Sequence, residues 1–399
     1  MARLGFLKFQ DIEVHGQRVF LRLDLNVPIK EGKILDRNRI DAALPTVRLL
    51  LDRGARLVIA SHLGRPKTEE DRQKLSLEPV AEYLSEVGLD VLFMETPDSE
   101  APYELIKGLS SSQIILLENL RFAEGETKNS QELAAKWSRY TDIYINDAFG
   151  ASHRAHASID ALARLIPTRC YGPLIEKELS ALKTIKEDPR HPFVLITGGS
   201  KVSDKLPLLD ALIDKVDSVL IGGGMAYTFL KVTGQSIGNS LLQKDQLALA
   251  EKFLARMKSQ GKKVLLPIDH VVVDDFADPN DKGGVVDTIG VCQVAVDIGP
   301  KTQKLFVEEI LKSGSVFWNG PMGVYERKPF NQGSVVIAEA MAASPAFSVI
   351  GGGDSAAAAI DSGFAGQINH ISTGGGASLE YIQGMKMPGI EALRVRLPE

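Results

Sequence analysis

The stretch from Ala346 to Ser355, read Ala-Phe-Ser-Val-Ile-Gly-Gly-Gly-Asp-Ser, restricts the fold more than any other part of the chain. A short apolar run stopped by glycines predicts a buried parallel strand, and Ala356–Ile360 predicts the first turns of a helix. A strand that turns through glycines into a helix presents unpaired N–H groups and the positive dipole end to an anion. Without Cβ atoms, a phosphate can approach that backbone closely. Asp354 sets a carboxylate beside the same spot and would repel the phosphate unless a hard cation lay between them. One reading is therefore a site for a Mg²⁺-bound nucleotide. The other is that Asp354 and Ser355 only cap the helix. Gly351-x-Gly353-x-x-Ala356 also fits a dinucleotide fingerprint. That fingerprint asks for an acid near the end of the next strand, and Gln367–Ser372 runs instead into Thr373-Gly374-Gly375-Gly376.

The strand–helix pattern recurs along 399 residues, a length that suits two α/β domains with a core each. The net charge of −5 argues against a nucleic-acid partner but not against a small anionic substrate. Cys170 and Cys292 stand far apart and form no metal-type pair, which favours a reducing, cytoplasmic setting. Met1–Gly5 has no signal-peptide core, and no apolar run is long enough to span a membrane.

In the first half, predicted strands end at polar or cationic residues. Arg18–Leu25 leads to Asn26-Val27-Pro28, with Asp24 and Asn26 over a crevice or serving only turn chemistry. Arg39 stands at the entry to a helix over Asp41–Arg53. Arg56–Ser61 leads to His62-Leu63-Gly64-Arg65, Gln113–Leu117 to Arg121, and Asp142–Asn146 to His153-Arg154-Ala155-His156. One arginine after a strand is ordinary surface. Three on one edge of a parallel sheet would make a basin for a polyanion, because guanidinium forks match phosphate and carboxylate oxygens.

Leu174–Lys186 reads as a helix between Tyr171-Gly172-Pro173 and the turn at Asp188–Pro192, and links the halves. In the second half the strand exits carry glycines. Phe193–Thr197 leads to Gly198-Gly199-Ser200-Lys201, and Lys201 and Lys205, four apart, are expected on one helix face toward phosphates. Ser218–Ile221 leads to Gly222-Gly223-Gly224, and Ser315–Trp318 to Asn319-Gly320-Pro321. Lys263–Pro267 and His270–Val273 read as further strands. The chain holds no Walker A pattern.

Leu23–Pro28, Ser61–Pro66, His153–Ser158, Trp318–Pro321 and Gly351–Asp354 together resemble, in order and over essentially the whole chain, the motifs of the phosphoglycerate kinase family. The resemblance implies two doubly wound, Rossmann-like parallel-sheet domains. They would comprise 1–170 for 3-phosphoglycerate, a hinge helix and linker at 171–190, 191–375 for nucleotide, and 376–399 returning to the first domain. It implies reversible transfer of the acyl phosphate of 1,3-bisphosphoglycerate to Mg-ADP, with hinge-bending closure, by a cytoplasmic monomer. By motif, Asp24, Asn26, Arg39, His62, Arg65, Arg121 and Arg154 would hold 3-phosphoglycerate. Lys201, Lys205, Asn319, Glu326, Gly352, Gly353, Asp354 and Ser355 would hold the nucleotide, with Asp354 on Mg²⁺. Arg39, Lys205 and the amides of Gly352 and Gly375 would act on the migrating group. Leu23, Leu25 and Ile175 depart from the commoner Val, Phe and Met, changes of packing only.

Two rivals are weighed against this. An NAD-dependent dehydrogenase could use the same sheet type but lacks its ribose-binding acid here. A non-catalytic binding protein would not require Arg39, Lys205 and Asp354 together. Because an acyl phosphate is a reactive donor, His62, His153 and His156 are expected to bind rather than relay protons.

Overall fold

The computed structural model describes residues 4–110 and 112–397; Met1–Arg3, part of the N-terminal reading above, lie outside them. By contact the chain forms two units, 1–179 with 386–399, and 180–385. The first unit is built on a six-stranded sheet. Its strands, in spatial order, are Asp90–Met94, Gln113–Leu117, Arg56–Ala60, Arg18–Arg22, Ile143–Asn146 and Thr168–Tyr171, and every pairing is parallel. Its central strands are apolar on both faces, as a sheet covered on two sides requires. Val19, Leu21, Leu57, Ile59, Ile114 and Leu116 enter one core. Phe20, Val58, Ile115, Leu117 and Tyr144, from alternate positions, enter the other.

The helix Asn38–Asp52 packs Ile40, Val47 and Leu50 into the first of these cores. The chain's last described segment belongs to this unit. Val395–Arg396 pairs antiparallel with Leu4–Gly5, and Ala392 and Leu393 join the second core. Gly389 donates to the Ser152 carbonyl at 2.9 Å, and a Cβ there would fall 3.0 Å from Ser152 Cα. The C-terminal turn thus lies directly beneath the loop that carries His153 and Arg154.

The second unit repeats the architecture. Lys263–Leu265, Ser218–Ile221, Phe193–Thr197, Ser315–Asn319, Phe347–Ile350 and His370–Ile371 form a parallel sheet. Numbered along the chain, that order is 3-2-1-4-5-6, which puts a topological switch point between Phe193–Thr197 and Ser315–Asn319. His270–Val273 is indeed a strand, but it lies in a separate three-stranded antiparallel sheet with Gly284–Val286 and Val294–Ile298. Helix Gly376–Ile382 packs on helix Leu206–Leu212 in this unit. Helix Pro173–Glu187 runs without a break from the first unit into the second. No helix among the described residues is long and apolar enough to cross a membrane.

Candidate active site

In the first unit, four adjacent parallel strands deliver their exits to one edge of the sheet. The strand Arg18–Arg22 leads to Asp24 and Asn26. Asp24 Oδ1 accepts from Arg39 Nη1 at 2.9 Å, and Asn26 Oδ1 accepts from the Gly64 N–H at 2.8 Å. Gly64, at φ +57°, is in the left-handed region, so its loop can turn toward the neighbouring exit. Arg121 Nη1 donates to the Gly64 carbonyl, while its Nε is buried with no partner. Arg154 Nε donates to His153 Nε2 at 3.0 Å. Arg65 is exposed, and Arg39, Arg121 and Arg154 are half-buried.

The electrostatics record how closely these cations converge. Burial, then the charges of Arg154 and Arg22, pull the Arg121 guanidinium down to about 10. Burial and the charges of Arg22, Arg121, His156 and Arg39 hold His62 well below the usual imidazole range. Arg22 Nη2 lies 3.2 Å from His62 Nδ1. A guanidinium can only donate, so Nδ1 is the acceptor and the ring is the neutral tautomer protonated at Nε2.

Beneath the basin lies a buried set of which sequence reasoning singled out only His156. Arg22 Nε donates to Ser158 Oγ at 2.9 Å, and Ser158 Oγ donates to Glu126 Oε1 at 2.7 Å. His156 Nδ1 stands 3.6 Å from the same carboxylate oxygen, near enough to feel its charge but too far for a hydrogen bond. Burial alone would raise Glu126. His156, Arg22 and Ser158 outweigh it and hold the carboxyl low. The available signal was an arginine inside an otherwise apolar strand, which period-two counting treats as a solvent-facing residue.

In the second unit the exits are backbone. At the switch point, Gly198 and Gly320 pass so closely that a Cβ on Gly198 would fall 2.1 Å from the Pro321 carbonyl. Gly352, at φ +98°, precedes helix Gly353–Asp361, and a Cβ there would fall 2.6 Å from Asn319 Nδ2. Asn319 is buried; its Nδ2 donates to the Gly351 carbonyl at 2.5 Å and its Oδ1 accepts from Lys205 Nζ. Burial lowers Lys205, with Asp204 and Asp354 opposing. Gly375, at φ +51°, opens helix Gly376–Ile382 with nothing within 4 Å of the Cβ position.

One expectation is corrected. Lys201 and Lys205 do not share a helix face, because 201–205 is a turn and the helix begins at Leu206, with a proline in its first turn. Gln243 Oε1 accepts from the N–H groups of Val202 and Ser203, so the turn finds its partners outside a helix. The capping alternative for Ser355 and Asp354 also fails, since no side chain caps helix Gly353–Asp361. Ser355 is buried and its Oγ accepts from the Gly320 N–H at 2.6 Å, pinning the glycine turn to the helix. Asp354 is exposed and lines a cleft together with Glu326, Gly199, Gly223, Pro321, Tyr227 and Phe276. Gly353 is exposed beside Asp354, and Lys201 is exposed as well.

A sequence model of phosphoglycerate kinase matches residues 9–385. The chain belongs to the phosphoglycerate kinase family. It is 50% identical over 400 residues to the phosphoglycerate kinase of Bdellovibrio bacteriovorus, covering 98% of each chain. To that of Clostridium botulinum it is 45% identical, covering 96% of this chain and 98% of the relative. The solved phosphoglycerate kinase of Coxiella burnetii superposes with a TM-score of 0.85 at 39% identity, covering 98% and 99%. That of Pyrococcus horikoshii gives 0.83 at 34% identity, covering 97% and 98%. The two sets of strand exits stand at the carboxyl ends of the strands of two parallel sheets in this fold.

Proposed function

We propose that the chain catalyses reversible transfer of the acyl phosphate of 1,3-bisphosphoglycerate to Mg-ADP, giving 3-phosphoglycerate and Mg-ATP. One observation carries the reading: the match to phosphoglycerate kinases extends over nearly the full length, through both the cationic exits and the glycine exits. Asp24, Asn26, Arg39, His62, Arg65, Arg121 and Arg154 hold the 3-phosphoglycerate. Lys201, Lys205, Asn319, Glu326, Gly352, Gly353, Asp354 and Ser355 serve the nucleotide, Ser355 by fixing the Gly320 turn.

A nucleotide β-phosphate oxygen attacks the acyl phosphorus in line, and the carboxylate oxygen of 3-phosphoglycerate leaves with the bonding pair. No proton has to move, so no general base is required. The protein's task is positioning and charge neutralisation. Arg39 from the first unit, Lys205 and the amides of Gly352 and Gly375 from the second, stabilise the transferring group after hinge-bending closure, which also excludes water.

The donor set suits Mg²⁺. Among the described residues no three acidic, His or Cys side chains form a cage, and one exposed carboxylate completed by phosphate oxygens and water is the usual Mg²⁺ arrangement. Asp354 would hold the ion, whose charge would offset that of the phosphates. Free Cys170 and Cys292 and the net charge of −5 support a cytoplasmic protein with no nucleic-acid partner; that it acts as a monomer is what the family resemblance implies.

Magnesium-dependent ATP consumption driven by 3-phosphoglycerate, followed in a coupled assay, tests the reading. Transfer is expected, with no response to NAD. A protein that binds both substrates without turnover would instead be a non-catalytic member of the fold.

A further inference from the structure

Asp147 follows strand Ile143–Asn146, is 2% exposed, and has no part in the mechanism above. Its backbone N–H donates to the carbonyl of Arg22 at 2.8 Å, at the strand end that leads to Asp24. Its two carboxylate oxygens serve two different helices. Oδ2 accepts from Thr46 Oγ1 at 2.9 Å, and Thr46 lies two turns after Arg39 on helix Asn38–Asp52. Oδ1 accepts from the Ile175 N–H at 3.0 Å. Ile175 lies in the first turn of helix Pro173–Glu187, which continues into the second unit. Gly172 presses on the same group, since a Cβ there would fall 2.4 Å from the Asp147 carboxyl carbon.

A buried aspartate capping one helix is ordinary structure. Here the carboxylate clasps two helices, one carrying a residue of the anion basin and one joining the units. The loop that continues from Asp147 also leads to His153 and Arg154. A shift of the Arg39 helix when an anion binds must either move the first turn of Pro173–Glu187 or break the Thr46 bond. Packed hydrogen-bonded elements of this kind pass small displacements on rather than absorb them.

We propose that Asp147 is a positioning residue for phosphoryl transfer, tying the Arg39 helix to the first turn of helix Pro173–Glu187 so that filling the anion basin bears on the hinge. The proposal rests on the functional reading above. It places the benefit of the clasp in the closed, reacting state rather than in substrate binding.

Thr46→Val is the sharpest probe, because it deletes one hydroxyl and leaves Asp147 accepting from the Ile175 N–H. An interaction expressed only in the reacting state lowers kcat and kcat/KM together and leaves KM alone. The full-length enzyme with Thr46→Val is expected to lose about fivefold in kcat with both KM values within about twofold, a modest hinge effect. Substrate-induced compaction, read by small-angle X-ray scattering with 3-phosphoglycerate and Mg-ATP, is expected to shrink. Thr46→Ser should restore both, and Asp147→Asn should lose more than Thr46→Val. If Thr46→Val lowers only the melting temperature, with wild-type kcat and full compaction, Asp147 is merely structural and the proposal fails. Should Asp147→Asn not fold, the Thr46 pair decides alone. A wild-type protein without transferase activity would sink the functional reading instead, so the two failures are distinguishable.

Discussion

The two sheets share one architecture and, on the proposed function, meet an anion in opposite ways. Exits of the first carry long cationic side chains held by neighbours, as Arg39 is by Asp24 and Arg121 by Gly64. Exits of the second carry peptide, brought so close at Gly198, Gly320 and Gly352 that no side chain fits. A guanidinium reaches outward and matches an acid or phosphate by charge and fork geometry. A glycine turn at a helix mouth fixes N–H groups where the backbone dictates, with no rotamer entropy to lose. The difference teaches which kind of damage each region tolerates. Truncating a cation removes charge and leaves the scaffold, whereas adding a methyl to the cradle moves the scaffold itself.

The largest effect should come from the residues that bear on the transferring group. Lys205→Ala is expected to lower kcat by about 10²–10³-fold, the usual loss for removing one donor to developing charge. The 3-phosphoglycerate Kd, measured by calorimetry, should barely change. Arg39→Ala should lower kcat comparably and also weaken 3-phosphoglycerate, because its guanidinium belongs to the basin. If Lys205→Ala weakens 3-phosphoglycerate as much as it slows turnover, the division between the two regions is wrong.

Next comes the contrast between Gly352→Ala and Arg65→Ala. At φ +98° and 2.6 Å from Asn319 Nδ2, the new Cβ must displace the group that receives Lys205. Strain of about 1–3 kcal/mol follows, and kcat falls at any ionic strength. Exposed Arg65 is screened by salt, so its loss should raise the KM for 3-phosphoglycerate most at low salt and converge on wild type at high salt. Kinetics across a salt series read both. A salt-independent Arg65→Ala would break the comparison. Smaller again, Asp354→Asn should raise the magnesium concentration needed for half-maximal rate while leaving 3-phosphoglycerate binding unchanged, as seen in a metal titration.

Much of this contrast was legible in the sequence, because glycine and arginine sit at the ends of apolar runs whose length and composition identify strands. Gln113–Leu117, Phe193–Thr197 and Ser218–Ile221 carry that signal at their full observed length. The half-exposed edge strand Asp90–Met94 did not, since it begins on an acid and its exit, Glu95-Thr96-Pro97, carries neither glycine nor arginine. Lys201 and Lys205 misled because spacing of four implies one face only where a helix exists. The turn before Leu206 is held by Gln243, forty residues on, which no local pattern reveals. Arg22, Glu126, Ser158 and Asp147 were missed for a related reason. Their roles depend on partners brought together by the sheet, and each alone looks like a strand polar residue, a loop acid or a turn residue.

The smallest effect sharpens the comparison at two buried histidines, one per unit. Burial lowers both His62 and His270, but their remaining neighbours act in opposite directions. Around His62 the cations Arg22, Arg121, His156 and Arg39 lower it further, while around His270 Asp269 and Asp287 push it back up. In the folded state His62 therefore stays neutral below the ordinary imidazole value, where the unfolded chain already takes up its proton. Its contribution to stability is present above about pH 6.5 and is lost as pH falls below that value. An anion in the basin offsets the arginines and so should raise the His62 pKa and flatten that loss, leaving His270 unmoved. Imidazole NMR titrations with and without 3-phosphoglycerate read both rings in one sample. Equal shifts at the two histidines, or a downward shift at His62, would mean that the bound anion does not sit among the cations of the first sheet.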